Sequence, residues 1–406
     1  MKLRYLHLSD LHISQADWQN GDNNIFPARK SLVQLLQKIT ELKEKGQKND
    51  FIIISGDLVW SGKKEEFEAA EDFCVKLLEA AGLSADRLYL VPGNHDIERK
   101  EVKPGHVKRW YAFDSQEDVA EVLSDPDLFP ILMRKFEAFN QFSADVTGRT
   151  LFDSSAYHYA ESLTLEKGGN PFKINLLALN SALFAGYDGD NKQLLSLGEE
   201  QVRRTCNQLD QSALLSLAFF HHPVECYHPS DHQNQQLLRE KVDLILTGHL
   251  TNTTKAFSTE NSSNSYLISS GTSSDNHERQ QFFNQVEIDL TTGKGRVDFY
   301  SFEKQDWQPR KINPETTDGH FPFLIDKIQA EPLFPPLVPE TNNRLDPLNK
   351  QNYDLIVSYS REDADWVKTE LFPLLETSQT KSRIPFNILY IEGNSVDLNE
   401  ITRKDL

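Results

Sequence analysis

Apolar and polar positions along the chain follow two rhythms. Runs rich in Val, Ile, Leu and aromatic residues recur near 3–9, 51–55, 88–91, 172–180, 214–220 and 242–247, and their length and β-forming content predict strands. Between them, at 27–45, 64–81 and 198–209, apolar residues return every three or four positions among Glu, Lys and Gln, which predicts helices with one apolar face. Strands alternating with helices predict a mixed α/β sheet covered by those helices. After 250 the pattern changes to Ser/Thr-rich turns and shorter runs at 265–270, 283–290 and 295–302, predicting a second, antiparallel sheet. Residues 97–160 break the rhythm with charged and aromatic residues, and a partly helical excursion near the top of the sheet, a candidate cap, is expected there. From 305 to 350 Pro, Asn and Asp take over, notably in Glu331-Pro-Leu-Phe-Pro-Pro-Leu-Val-Pro-Glu340, which reads as an extended linker. The expected division is a first domain over 1–304, a Pro-rich linker over 305–350 and a separate piece over 351–406.

With 406 residues and 38% hydrophobic content the chain can bury a sizeable core. Its start carries polar residues before any apolar run reaches signal-peptide length, and no run of about 18 apolar residues occurs, so a soluble cytoplasmic protein is expected. Cys74, Cys206 and Cys226 are odd in number and widely spaced, which suits reduced thiols rather than a disulfide framework. The formal net charge of −18 argues against a broad electrostatic grip on nucleic acid, although bound divalent cations would neutralise several of the carboxylates counted in it.

The informative feature is where chemistry-bearing residues fall relative to the strands. Strand 3–9 runs into Asp10-Leu-His12, strand 51–55 into Gly56-Asp57, and strand 88–91 into Pro92-Gly-Asn-His-Asp96. Strand 214–220 runs into His221-His-Pro223, and strand 242–247 into Gly248-His-Leu-Thr251. In open α/β sheets the carboxyl ends of strands gather along the edge where ligands bind, so these side chains should converge. Carboxylates, imidazoles and an amide carbonyl hold Mn, Fe or Zn without thiolate. A carboxylate such as Asp57 can bridge two ions about 3.5–4 Å apart, as two-metal hydrolases require.

The set Asp10-x-His12, Gly56-Asp57, Gly93-Asn94-His95-Asp96, His221-x-Pro223 and Gly248-His249 resembles the calcineurin-like metallophosphoesterases over roughly residues 1–300. The resemblance implies a four-layer αββα sandwich of two mixed sheets flanked by helices, and two divalent ions, Mn²⁺ first with Fe or Zn as alternatives. It implies a first metal site of Asp10, His12 and Asp57 and a second of Asp57, Asn94, His221 and His249. It makes His95 catalytic, as an acid or transition-state stabiliser, oriented by Asp96. The family pattern usually ends Gly-His-x-His, whereas Thr251 stands last here, so the first site should be the weaker or should recruit Asn252, Asp275 or His277.

Blander readings stand beside these. Asp10, Asp57 and Asn94 could cap helices, and His12, His221 and His249 could be buried core histidines. His222 reads as a neighbour that touches substrate or nothing, His7 as structural, and Asn180 as a turn residue or a substrate contact. His106, Lys108 and Arg109 read as solvated cap surface.

Tyr353-Asp-Leu-Ile-Val-Ser-Tyr-Ser360 reads as a strand, followed by a helix start at Arg361-Glu-Asp-Ala-Asp-Trp366 and a second strand near 386–391. This resembles the opening of a TIR domain, and implies a partial flavodoxin-like β-α-β piece, truncated at 406, with TIR-mediated self-association in a full-length form. No residue matches the glutamate of TIR enzymes that cleave NAD. The expected function is metal-dependent hydrolysis of phosphodiesters, in nucleic acid or cyclic or linear nucleotides, within a TIR-linked bacterial defence or signalling protein. The alternatives are a catalytically impaired nucleotide sensor or scaffold, which Thr251 motivates, and a phosphomonoesterase.

Overall fold

The apolar runs become strands whose order explains their composition. The computed structural model describes residues 1–14, 27–110, 112–149, 157–186, 193–249, 257–259, 265–273, 280–310, 319–329, 355–359 and 388–392. Within it β1 (Lys2–Leu8), β2 (Phe51–Ser55) and β3 (Leu88–Val91) lie side by side in parallel, Leu6 opposite Ile52 and Ile52 opposite Leu88. Every residue of β2 and β3 is buried, because parallel strands are covered on both faces and read as unbroken apolar runs. The crossovers are α1 (Pro27–Glu44) and α2 (Lys64–Ala81). At the start of α2, Glu66 accepts from the Ser61 and Lys63 main-chain N–H groups. At its end, Gly82 takes the left-handed conformation (φ 71°) that terminates the helix.

The excursion is helical: α3 (Pro104–Trp110), α4 (Gln116–Ser124), α5 (Leu128–Arg134) and α6 (Glu137–Thr147). A reciprocal cap between Ser115 and Asp118 opens α4. The chain then builds a second sheet from β4 (His158–Lys167), β5 (Asn170–Leu179), β6 (Leu215–Phe220), β7 (Leu244–Thr247), β8 (Phe257–Thr259) and β9 (Tyr266–Ser269), in the order β4-β5-β6-β7-β9-β8. Its β5, β6, β7 and β9 are parallel, with α7 (Glu199–Asn207) and α8 (His232–Lys241) in the crossovers.

The antiparallel strands after 270 do not form a sheet of their own, as the sequence pattern suggested. β10 (Gly271–Ser273), β11 (Gln280–Asp289), β12 (Lys294–Glu303), β13 (Asp306–Pro309) and β14 (His320–Leu324) extend the first sheet, because β11 pairs with the free edge of β1, Tyr5 opposite Val286. That pairing removes an exposed edge and leaves β1 central. β13 and β14 both pair with β12, so part of the stretch read as linker belongs to the first unit. The chain divides at Glu331–Pro332 into two compact units, Met1–Glu331 and Pro332–Leu406. In the second, β15 (Leu355–Tyr359) and β16 (Ile388–Glu392) pair in parallel, Val357 opposite Tyr390. The helix expected after Arg361 lies outside the described residues.

One contact ties the excursion to the site. Lys135, at the end of α5 and 1% exposed, donates from Nζ to the carbonyls of Ala182, Leu183 and Ala185 at 3.0, 2.7 and 2.7 Å, with the Trp110 and Phe136 rings beside it. The turn it holds carries Ser181, whose Oγ accepts from the main-chain N–H groups of His221 and His222.

Candidate metal centre

Loops leaving β1, β2, β3, β6 and β7 meet at one rim and are stitched together through their own backbone. Asp10 N–H donates to Gly56 O and His12 N–H to Asp57 O, both at 3.0 Å. Asp57 Oδ1 accepts from His95 N–H at 2.8 Å. His249 N–H donates to Asp10 Oδ2 at 3.0 Å, and Gly248 N–H to His221 O at 2.9 Å. Seven non-glycine residues among those described have positive φ; four of them are Asp10, His12, Asp57 and His249. Such a conformation costs of the order of 1 kcal/mol or more, and its clustering at one place points to function.

The glycines are required by closeness. A Cβ on Gly56 (φ 95°) would meet the His221 ring at 2.7 Å, and one on Gly93 would run into the Asp57 carboxylate. Only glycine lets these loops approach so nearly.

The side chains form three overlapping groups, each with ligand atoms within 4.8 Å of one another: Asp10, Asp57, His221 and His249; His12, Asp57 and His95; and His221, His222 and His249. Asp57 belongs to two of them. Its Oδ2 lies 3.3 Å from His221 Nε2 and 3.9 Å from His12 Nε2, which is also 3.8 Å from Asp10 Oδ1. His249 Nδ1 is 3.2 Å from His221 Nε2. Beyond the contacts within the two expected sets, Asp10 also stands with His221 and His249, and His95 stands beside His12. Asn94 lies between Gly93 and His95, both against Asp57. Thr251, Asn252, Asp275 and His277 lie outside the described residues.

These residues fit divalent cations on three grounds. His221 Nδ1 donates to Ser55 O at 2.8 Å, which leaves Nε2 turned toward Asp57, the arrangement in which a backbone acceptor fixes a metal-ligating imidazole. Asn94 Oδ1 is buried with no hydrogen-bond partner among the described residues, an expensive vacancy unless something charged faces it. The third ground is charge. Asp10, Asp57 and Asp96 are all buried. Burial pushes Asp10 up to about 6, with the Asp57 carboxylate adding to it and His221 opposing. Burial also works against the charges on Asp57 and His221, yet their mutual attraction prevails, holding Asp57 well below the carboxylate range and His221 up to about 9. The buried carboxylates thus favour positive charge at this place. Burial, and then the charge on His221, lower His249 to about 3, so it is a neutral donor ready to ligate.

Asp96 does not orient His95. Its Oδ1 accepts from Val59 N–H at 2.9 Å and its Oδ2 from Gly93 N–H at 2.8 Å, so its carboxylate fastens the β3 loop to the chain after β2. The His95 ring is held instead by the Trp60 carbonyl, 2.6 Å from Nδ1; the carbonyl can only accept, so Nδ1 carries the proton and Nε2 is left for chemistry.

The bland alternatives fall unevenly. His7 is buried mid-strand, with Nε2 2.8 Å from Ser55 Oγ, and is structural. Asn180 is a turn residue, its Oδ1 accepting from Ala182 N–H at 3.0 Å. His222 is wholly buried, with Nδ1 3.0 Å from Ser181 Oγ and Nε2 without a partner among the described residues, its ring 5.0 Å from that of His249. The sequence reads it as a neighbour that touches substrate or nothing. The supporting Ser9, Ser55, Ser181 and Trp60 gave no signal, since they act through hydroxyl or backbone groups that any loop could supply.

A curated relative, the uncharacterized metallophosphoesterase-like protein YydB of Bacillus subtilis strain 168, is 23% identical over 340 residues, 81% of this chain and 66% of that protein. The chain therefore spans just under two thirds of that relative's length. Similar solved structures include a dimetal phosphatase from Danio rerio, at 16% identity over 74% of this chain and 95% of that one with a TM-score of 0.40. Another is the phosphopantetheinyl hydrolase of Mycobacterium tuberculosis, at 13% identity over 66% and 90% with a TM-score of 0.32. The profile of the calcineurin-like phosphoesterases matches residues 3–251, more than half of the chain. With five loops gathered around Asp57 and that match across both sheets, the chain belongs to the calcineurin-like phosphoesterase family.

Proposed function

We propose that this chain is a metal-dependent hydrolase of phosphodiesters, with Asp10, His12, Asp57, Asn94, His221 and His249 as its metal ligands and His95 as its catalytic side chain. The observation that carries the reading is the sharing of one buried carboxylate, Asp57, between a group of buried Asp10 and His221 with half-buried His249 and a more open pair, His12 and His95. Such a carboxylate can bridge two ions. Divalent ions held there would supply Lewis acidity, lowering the pKa of a bound water and offsetting charge on the phosphoryl oxygens.

The chain's own residues do the rest. Ser55 O and the protonated Nδ1 of His221 fix that ring, and Ser9 Oγ, donating to Asp10 Oδ2 at 2.7 Å, fixes the carboxylate. His95 is half-buried, its Nδ1–H tied to Trp60 O, so Nε2 can reach a departing oxygen and donate to it or stabilise its charge once protonated. Mn²⁺ is the expected ion and a nucleotide or nucleic-acid diester the expected substrate class.

The test is turnover of bis-p-nitrophenyl phosphate against p-nitrophenyl phosphate with Mn²⁺. Faster hydrolysis of the diester supports the proposal. Preference for the monoester would make the chain a phosphomonoesterase, and nucleotide binding with neither turned over would make it a sensor. The parallel pairing of β15 with β16 supports reading the second unit as the opening of a TIR-like sheet. In a longer protein that unit would self-associate and link hydrolysis to signalling or defence.

A further inference from the structure

Trp60 stands out among the residues the mechanism uses only through their backbone. It is 42% exposed and one of three large apolar side chains open to solvent among the described residues, with Met1 and Val75. Leaving an indole in water forgoes a large burial gain, and here it does so at the mouth of the metal centre. The Trp60 ring lies 5.3 Å from that of His12, edge to face, and 5.3 Å from that of His95.

Its backbone is pinned on both sides. Trp60 N–H donates to Ile13 O at 3.2 Å and its carbonyl accepts from His95 Nδ1. The ring is thus carried on a segment fixed to the two loops that bear His12 and His95. A planar, rigid and half-open surface beside the group expected to meet the departing oxygen suits an aromatic ring in the substrate. Stacking of a base on such a side chain changes affinity by about fivefold to a hundredfold.

The charge balance selects the size of that substrate. With 61 acidic and 43 basic residues, the protein repels a polyanion at long range more than a singly or doubly charged one. Attraction has to come from short-range contacts at the site.

Resting on the phosphodiesterase reading above, we propose that Trp60 is the stacking platform for the nucleobase of a small nucleotide substrate, and so the residue that sets preference for nucleotides over other phosphoesters.

Adenosine 5′-monophosphate and ribose 5-phosphate differ only by the base, and titrating each into the Mn²⁺-loaded chain isolates its contribution. The expected result is at least tenfold tighter binding of the adenosine compound, a ratio that falls to within about threefold of unity in Trp60→Ala and largely survives in Trp60→Phe. Any displacement of His95 affects both ligands and cancels in the ratio. Equal binding of the two by the unmutated chain, or an unchanged ratio in Trp60→Ala, would overturn the proposal. So would tighter capture of a ten-residue oligothymidylate than of the mononucleotide at 0.15 M salt, which would give the platform to single-stranded nucleic acid. Absence of diester turnover with the ratio intact would strike the hydrolase reading alone and leave the platform standing.

Discussion

The two sides of Asp57 are built differently. On one side His221 is wholly buried and hydrogen-bonded to the β2 backbone, and Asp10 and His249 are bound to each other through a main-chain N–H. On the other, His12 keeps 19% of its side chain in solvent and His95 and Trp60 line an open edge. A sealed, polar, over-determined half holds cations in a fixed geometry. An open half lets a substrate in and water out, and must keep at least one titratable group free to act. The contrast predicts that changes on the sealed side remove the cations and the chemistry together, whereas a change at His95, on the open side, separates them.

The largest effect should come from the residue common to both halves. Asp57→Ala is expected to lose metal and to lower diester turnover by at least about 10⁴-fold, as removal of a ligand that also positions water would. Elemental analysis after dialysis, run beside the rate assay, checks it; full retention of both ions would end the bridging assignment. Next, His95→Asn is expected to lower turnover by about 10²- to 10⁴-fold while metal content stays that of the unmutated chain. Metal loss equal to that of Asp57→Ala would move His95 from catalysis to ligation.

Lys135 tests whether the sealed half depends on the excursion. Its ammonium satisfies three carbonyls of the turn that carries Ser181, and Ser181 in turn holds the β6 loop. Lys135→Met leaves those carbonyls buried without a donor and should cost about 3 kcal/mol or more, read as a lowered urea midpoint. Unchanged stability would mean the turn finds water or another donor.

Much of this was legible beforehand because strand ends announce themselves. Val, Ile and Leu runs that stop at Asp10, Asp57, Asn94, His221 and His249 fix both the strands and the rim, and parallel order follows from the helices between them. What sequence could not show is pairing between distant edges. The runs at 283–290 and 295–302 look the same whether they form a new sheet or complete an old one, and only the open edge of β1 decides. β4 was hidden because an edge strand needs few apolar residues: Leu163 and Leu165 are buried while Ser162, Thr164 and Glu166 are exposed. The role of Asp96 was misread for a related reason. The family resemblance implied contact with His95, but the turn at Gly93 sends the two side chains to different partners.

The smallest effect concerns a histidine outside the centre and shows what the metal-ligand histidines would do without acidic neighbours. His7, in mid-β1, is sealed between β2 and β11, with Ser55 Oγ at Nε2 and Asn284 Nδ2 3.5 Å from Nδ1. Burial lowers its pKa from 6.5 to about 3. The unfolded chain therefore binds a proton below pH 6.5 that the folded chain refuses, so this contribution is complete above 6.5 and is lost as pH falls toward 3. The slope approaches about 1.4 kcal/mol per pH unit. His7→Gln should be less stable than the unmutated chain at pH 7, and the gap between their urea midpoints, measured with chelator present, should narrow at pH 5. Parallel loss in the two proteins would show that His7 takes up a proton in the folded state, and that burial alone does not keep an imidazole in this sheet neutral. The contrast with His221, equally buried but paired with Asp57 and raised rather than lowered, would then need a cause other than the carboxylate.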